Sequence, residues 1–477
     1  MAVDGMTTPR CRNTPLLPVV LQTRVNGSCR AGDRLLVFSI CADTGAARWA
    51  AVVAVTEVGG ASASAAFEGA STGPITRGSV ARVGTATVLT ALCGYAVIYL
   101  AARDLAPAGF SVFGVFWGAF GLATGAANGL LQETTREVRT ARYTDMLPDG
   151  RTHPLRVAAL VGVAAAVVIA GSSTLWSRQV FVDARWLSVG LLSVGLASFC
   201  VHATLLGVLA GADRWSQYGA LMVTDATIRV AVALTTFVIG WGLRGYLWAT
   251  VAGATAWLIV LIASPATRAA ARLLTPVSTA AFLRGVGHSI TAAGASAILV
   301  MGFPVLLKAT SAELGAEGGV VILAVTLTRA PLLVPLTAMQ GNLIAHFVDE
   351  RTDRLRALIG PAAVVGAIGA VGVVAAALVG PWLLRAGFGP GYHAASALLA
   401  WLTAAALAIA MLTLTGAAAV AAALHRAYAL GWVGATLAST LLLLLPMPLG
   451  TRTVVALLCG PLVGIAIHLA ALARPRG

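Results

Sequence analysis

Two residues of opposite charge stand inside an apolar run long enough to cross a membrane: Asp225 and Arg229, four positions apart. On a helix that spacing stacks them on one face. Charges within a bilayer are costly, face a bundle interior or a wet cavity, and usually pair. The pair therefore reads either as a substrate or coupling-ion site or as a structural ion pair tying one helix to its neighbours. Asp225 is the one well-buried acid available to an ion that drives transport, and the adjacent arginine is a permanent counter-charge to it. Arg329 is the second candidate, two residues before Pro331 and six before Pro335 in another apolar run. It reads either as part of a cationic cavity able to hold phosphate or as a donor to the carbonyls those prolines free.

Polar side chains near these runs complete the candidate cavity: Asn128, Gln132, Gln340 and His288. Asn128 and Gln132 end a helix bearing Gly114, Gly118, Gly121, Gly125 and Gly129, whose spacing permits close helix packing. His202 and His288 each read as a hydrogen-bonding residue before a proton relay, and neither has metal-ligand spacing. The six cysteines include no C-x-x-C. Residues 69–73 match a nucleophile-elbow pattern and residues 240–245 a dinucleotide pattern, but neither has the strand those motifs require. Lys308, the sole lysine, follows Leu307, so there is no Walker A loop. No catalytic residue, metal or cofactor is expected.

The elements that must position these residues follow from composition. Apolar residues make up 58% of the 477-residue chain and charged residues 10%, against about 25% charged in soluble domains. Mean hydropathy is +0.87. The net charge of +14 is spread between apolar runs, which suits an anionic membrane surface and argues against nucleic acid as a partner. The hydropathy predicts an all-α polytopic membrane protein with about twelve spanning helices, near 83–102, 110–131, 157–176, 187–211, 218–241, 246–264, 286–307, 319–347, 359–384, 396–424, 429–446 and 453–472. Residues 1–78 hold seven arginines, five acids and no run of spanning length, and read as a poorly ordered cytoplasmic extension.

With both termini inside, cytoplasmic loops and ends carry fifteen arginines, and the outer loops carry seven basic residues. That bias sets the orientation. Trp176, Trp186, Trp215, Trp241, Trp248 and Trp382 fall near helix ends, as an interfacial belt would place them. Gln132 and Gln340 occupy matching places 208 residues apart, each before a charged loop. The chain thus divides into six-helix bundles at 79–275 and 276–477, an arrangement suited to a transporter built from parallel repeats.

Two loop segments carry a family likeness. Ala101-Ala-Arg-Asp-Leu-Ala-Pro-Ala-Gly-Phe110 resembles the aRlLgp-x-x-fG turn of polysaccharide exporters in the multidrug/oligosaccharidyl-lipid/polysaccharide (MOP) flippase superfamily. Gly387-Phe-Gly-Pro-Gly-Tyr-His-Ala-Ala395 resembles their lfG-x-x-y-x-x-A segment, and Leu327-Thr-Arg-Ala-Pro331 fits their eighth helix. The likeness covers residues 79–477 and departs from the pattern after Phe110, where the family usually has glycine. It implies a V-shaped, MATE-like plasma-membrane transporter with two lobes. Such a protein flips a polyprenyl-pyrophosphate-linked oligosaccharide or related glycolipid outward by alternating access. Membrane lipids, glycosyltransferases of the same pathway, and H+ or Na+ as coupling ion would be its partners. A multidrug exporter of the same architecture is the rival expectation. A membrane glycan polymerase or glycosyltransferase fits less well, because the outer loops leave little room for catalytic residues.

Overall fold

The computed structural model describes residues 18–20, 37–39, 77–141, 152–339, 343, 346–347 and 354–474. The chain divides into a unit of Met1–Pro74 and a unit of Ile75–Gly477. In the first, β1 (Pro18–Val20) pairs antiparallel with β2 (Val37–Ser39), Val19 opposite Phe38. The reading of 1–78 as a poorly ordered extension otherwise falls almost wholly outside the described residues.

The second unit is helical: α1 (Arg77–Thr140), α2 (Pro154–Val180), α3 (Arg185–Gly211), α4 (Trp215–Ile239), α5 (Gly242–Ala252), a 3₁₀ turn (Gly253–Thr255), α6 (Ala256–Ala263), α7 (Pro265–Ala271), α8 (Thr279–Val300), α9 (Phe303–Ala309), α10 (Gly315–Ala338), α11 (Arg354–Phe388), α12 (Ser396–Ala421), α13 (His425–Leu443) and α14 (Leu449–Leu472). Among the described residues nine helices are long and apolar enough to cross a membrane, ten when α8 and α9 count as one bent span. The 58-residue candidate span Val83–Thr140 of α1 would reach roughly 87 Å if straight, far beyond ~30 Å of hydrocarbon. A break at Ala106 divides it between two crossings. Counting both arms of α1 and the bent pair gives eleven among the described residues, and the 19-residue α13 is less apolar than the helices counted.

Ala106 has φ 53° and ψ 172°. This is backbone that glycine adopts freely and a Cβ disfavours, at a cost on the order of 1–3 kcal/mol. Pro107 follows, lacks an N–H and cannot continue the ladder across the corner. Ala106→Gly should therefore raise stability by about 1 kcal/mol once the entropy of the freer unfolded chain is subtracted. Thermal unfolding of the purified protein in detergent tests this, and a lower midpoint would show that the corner is not strained.

Two differences from the expected helices have local causes. The second arm of α1 runs to Thr140 rather than ending near Gln132. Arg136 binds Glu133 (2.5 Å) and Glu137 (2.9 Å) along it, while Gly207 and Gly211 of α3 let the two helices close together. The seventh span, expected to run unbroken over 286–307, bends by 67° between α8 and α9. Gly302 lies at that bend, and Pro304 sits in the first turn of the short helix that follows.

Lipid is as apolar as leucine, so helix association there relies on close packing of small residues. The glycine stripe of α1 is used in this way. Cβ atoms built at Gly118 and Gly121 would press on Met301, one at Gly125 on Ala297, and one at Gly129 on the backbone of Ser289 and Ile290. The first half of the chain thereby packs on the second through α1 and α8. Within the halves, α3 and α12 are central, with 67% and 56% of their apolar windows buried. By the same measure α2 and α11, at 17% and 6%, face outward.

A matching turn marks both halves. After α3, Arg214 N–H donates to Leu209 O (2.8 Å) and Asp213 adopts φ 53°. After α12, Leu424 N–H donates to Ala419 O (2.9 Å) and Ala423 adopts φ 60°. Both are left-handed helix stops of the Schellman type, 210 residues apart (423 − 213).

Candidate functional site

Asp225 and Arg229 form a forked ion pair on α4. Arg229 Nε lies 3.1 Å from each carboxylate oxygen and Nη2 lies 3.0 Å from Oδ1. The remaining arm, Nη1, donates to the carbonyl of Thr250 on α5 at 2.7 Å. That carbonyl lies where α5 gives way to the 3₁₀ turn, whose altered bonding frees acceptors. Gly253 in the turn is required: a Cβ there would fall on the Asp225 carboxylate and 2.6 Å from Arg229 Nε. The guanidinium lies 5.7 Å from the Phe120 ring centroid on α1, so the pair joins three elements. His202 of α3 is buried, stacks on Phe199 at 5.4 Å, and leaves Nδ1 without a partner.

Arg329 is buried on α10 and reaches a different element from the one its neighbouring prolines suggested. Nη1 donates to the carbonyls of Val300 (3.0 Å) and Leu299 (3.4 Å), which the bend after α8 leaves without helical donors. The α8 C-terminus carries partial negative charge, and the guanidinium also sits 5.4 Å from the Phe303 ring centroid. Its Nη2 has no partner. No acid pairs with it among the described residues.

The other candidates lie elsewhere. Gly129 of α1 packs on Ile290 of α8, which brings Asn128, Gln132 and His288 to one helix crossing. Asn128 is half-buried there; Gln132 and His288 are exposed. Ile290 is about 15 Å along α8 from Val300 at 1.5 Å per residue, so Arg329 belongs to a separate level. Gln340 lies outside the described residues.

Three features were not anticipated from sequence. Glu133 and Glu137 are buried yet share Arg136; their acids at every third or fourth position beside an arginine were the available signal. His468 of α14 is buried in the second half, with Nδ1 3.0 Å from Thr415 Oγ1 and Nε2 3.3 Å from the Tyr428 carbonyl. Gly431 leaves room for that ring, and a lone histidine in an apolar run offered no warning of it. The third is a seal at the end of the bundle that carries the Ala106 corner. Tyr392 Oη donates to Ala102 O (2.9 Å), Arg103 Nη1 to Gly387 O (3.4 Å), and Phe110 meets the Tyr392 ring edge-on at 6.2 Å. Pro107 packs on Gly391. The two loop segments with the family likeness are therefore in direct contact, although 284 residues separate Arg103 from Gly387.

No family model matches the chain. It is 76% identical over 422 residues to the uncharacterized protein Mb3654 of Mycobacterium bovis, covering 88% of this chain and 98% of that one. The uncharacterized protein Rv1510 of Mycobacterium tuberculosis is 76% identical over 405 residues, 85% of this chain and 94% of the relative. Among solved structures, the chain resembles an inward-facing multidrug resistance MATE family transporter of the MOP superfamily (TM-score 0.64, 14% identity, covering 83% and 98% of the two chains). An outward-facing MATE transporter of that superfamily gives a TM-score of 0.55 at 14% identity, covering 83% and 96%. A MOP superfamily transporter from Pyrococcus furiosus, described as having a binding pocket of reverse polarity, gives 0.55 at 13% identity, covering 83% and 95%.

Proposed function

Since the chain belongs to the family of the mycobacterial proteins Mb3654 and Rv1510 and has the MATE transporter fold, we propose that it flips a lipid-linked oligosaccharide or related glycolipid across the plasma membrane. One observation carries this reading. Among the described residues, each buried acid has an arginine partner: Asp225 has Arg229, while Glu133 and Glu137 share Arg136. The buried charges without an oppositely charged side chain are both cations, Arg329 and Lys308. A buried unpaired charge is unfavourable unless something answers it, and an anionic cargo would. A cationic drug would need the reverse, so the multidrug reading is the weaker one. The reverse polarity described for the Pyrococcus furiosus transporter is a parallel within the same fold.

In this reading the corner end faces outward and both termini face the cytoplasm, following the arginine bias. The contacts between Ala102–Phe110 and Gly387–Tyr392 would then close the outer side. Arg329 meets the phosphate, while Asn128, Gln132 and His288 meet sugar on the cytoplasmic side. Asp225 is the candidate for a coupling H+ or Na+, gained when Arg229 lets go.

Reconstitution into vesicles with labelled polyprenyl-pyrophosphate oligosaccharides tests the proposal. Arg329→Ala should lower flipping at least tenfold in protein that still elutes as the parent does. If neither Arg329→Ala nor Arg229→Ala changes flipping that the parent supports, the cavity is misassigned. Transport of a cationic dye in place of the glycolipid would favour the multidrug reading.

A further inference from the structure

Beside the seal, at the same end of the bundle, lies a cavity of about 570 Å³ between the second arm of α1, the end of α2 and the α9–α10 turn. Its polar wall includes Ser111, Arg178, Gln179, Lys308, Ser311 and Glu313. Lys308 is the sole lysine of the chain, and it is only 8% exposed. An ammonium has three donors, and one is used, on Ala312 O at 2.8 Å. No acid pairs with Lys308 among the described residues. The carbonyls at the end of the two-turn α9 answer part of its charge. Arg178 supplies a second cation to the wall, and Glu313 is an exposed acid against the two. Ser311 already donates to Leu307 O (2.5 Å) and accepts from Arg452 Nη2 (2.5 Å), so it is held in place.

A concave site of this size is in the range of small-molecule pockets. Two cations that line such a site without an ion-pair partner among the described residues, against one exposed acid, are suited to meet an anion. We propose that this cavity binds a diphosphate group, with Lys308 as the buried anchor and Arg178 as the outer clamp. The group would be either the headgroup of a polyprenyl lipid or free pyrophosphate. The proposal extends the transport reading by giving the anionic end of the cargo a place at the outer end.

Calorimetric titration of the purified full chain in detergent with farnesyl pyrophosphate and, separately, inorganic pyrophosphate provides the test. At least one probe should bind the parent, and Lys308→Gln should weaken it tenfold or more. Arg178→Gln, on an exposed side chain that does not hold the fold, should weaken it several-fold and steepen neither arm's dependence on salt. Binding of the farnesyl probe alone assigns the site to a lipid headgroup; binding of inorganic pyrophosphate assigns it to the free anion. Failure of both probes on the parent, or equal affinity in parent, Lys308→Gln and Arg178→Gln, overturns the proposal. Binding here is read without transport, so a parent that binds but does not flip glycolipid removes the transport reading and leaves the site.

Discussion

Asp225→Ala should destabilise the protein by about 3–5 kcal/mol, the cost of stranding a buried arginine without its counter-charge. The side chains of the pair are 13% and 15% exposed, so water does little to screen what remains. Arg229 would keep its bond to Thr250 O, which answers one arm of the guanidinium but not its charge. The double variant Asp225→Leu/Arg229→Met should lose much less than Asp225→Ala, because a matched apolar pair leaves no charge behind. Thermal unfolding in detergent of Asp225→Leu, Arg229→Met and the double variant yields the coupling between the residues. A single variant within about 0.5 kcal/mol of the parent, the range of ordinary surface changes, would show that the pair does not hold α4 to α5. Transport assayed on the double variant then separates clamp from coupling site: a stable double variant that still flips cargo removes Asp225 from the coupling role.

Gly129→Leu should be the most damaging substitution on the α1 stripe. Even a Cβ at that position would fall 2.5 Å from the backbone carbon of Ser289 and closer still to the amide of Ile290. Backbone cannot escape by changing rotamer, so α1 and α8 must move apart. Overpacking costs typically about 1–3 kcal/mol for added methylenes and more when no neighbour can yield. Gly129→Ala should already show a reduced midpoint of unfolding, and Gly129→Leu should fail to elute as a single species. Gly94→Ala is the control, since nothing lies within 4 Å of a Cβ there. It should be neutral or gain up to about 1 kcal/mol from helix propensity. Equal effects at Gly94 and Gly129 would mean that the stripe is not the contact between the halves.

Much of the scaffold was legible without coordinates, because hydropathy is read locally. A run of apolar residues long enough to cross hydrocarbon has few backbone options but a helix, and the charged residues between runs mark their ends. The family likeness of the two loop segments was legible too, though not their purpose. Arg103 and Gly387 are 284 positions apart, and no local pattern says that one will donate to the carbonyl of the other. The bend after α8 was also hidden, since Gly302 and Pro304 sit in a run apolar enough to read as unbroken.

For the candidate site the division falls differently. Spacing alone put Asp225 and Arg229 on one face, since i and i+4 are neighbours on any helix. It could not say that the third arm of the fork would take Thr250 O, nor that Gly253 would make room for the pair. The prolines beside Arg329 pointed to carbonyls on its own helix, and tertiary packing offered it better ones at the end of α8. What the amino-acid sequence determined by itself was which segments enter the membrane and which charges go with them, because burial in lipid is set residue by residue. Which charges meet each other, and which have no charged partner among the described residues, only the tertiary structure decided: a charge is answered by whatever packing brings within about 3 Å, and that partner is usually far away in the chain.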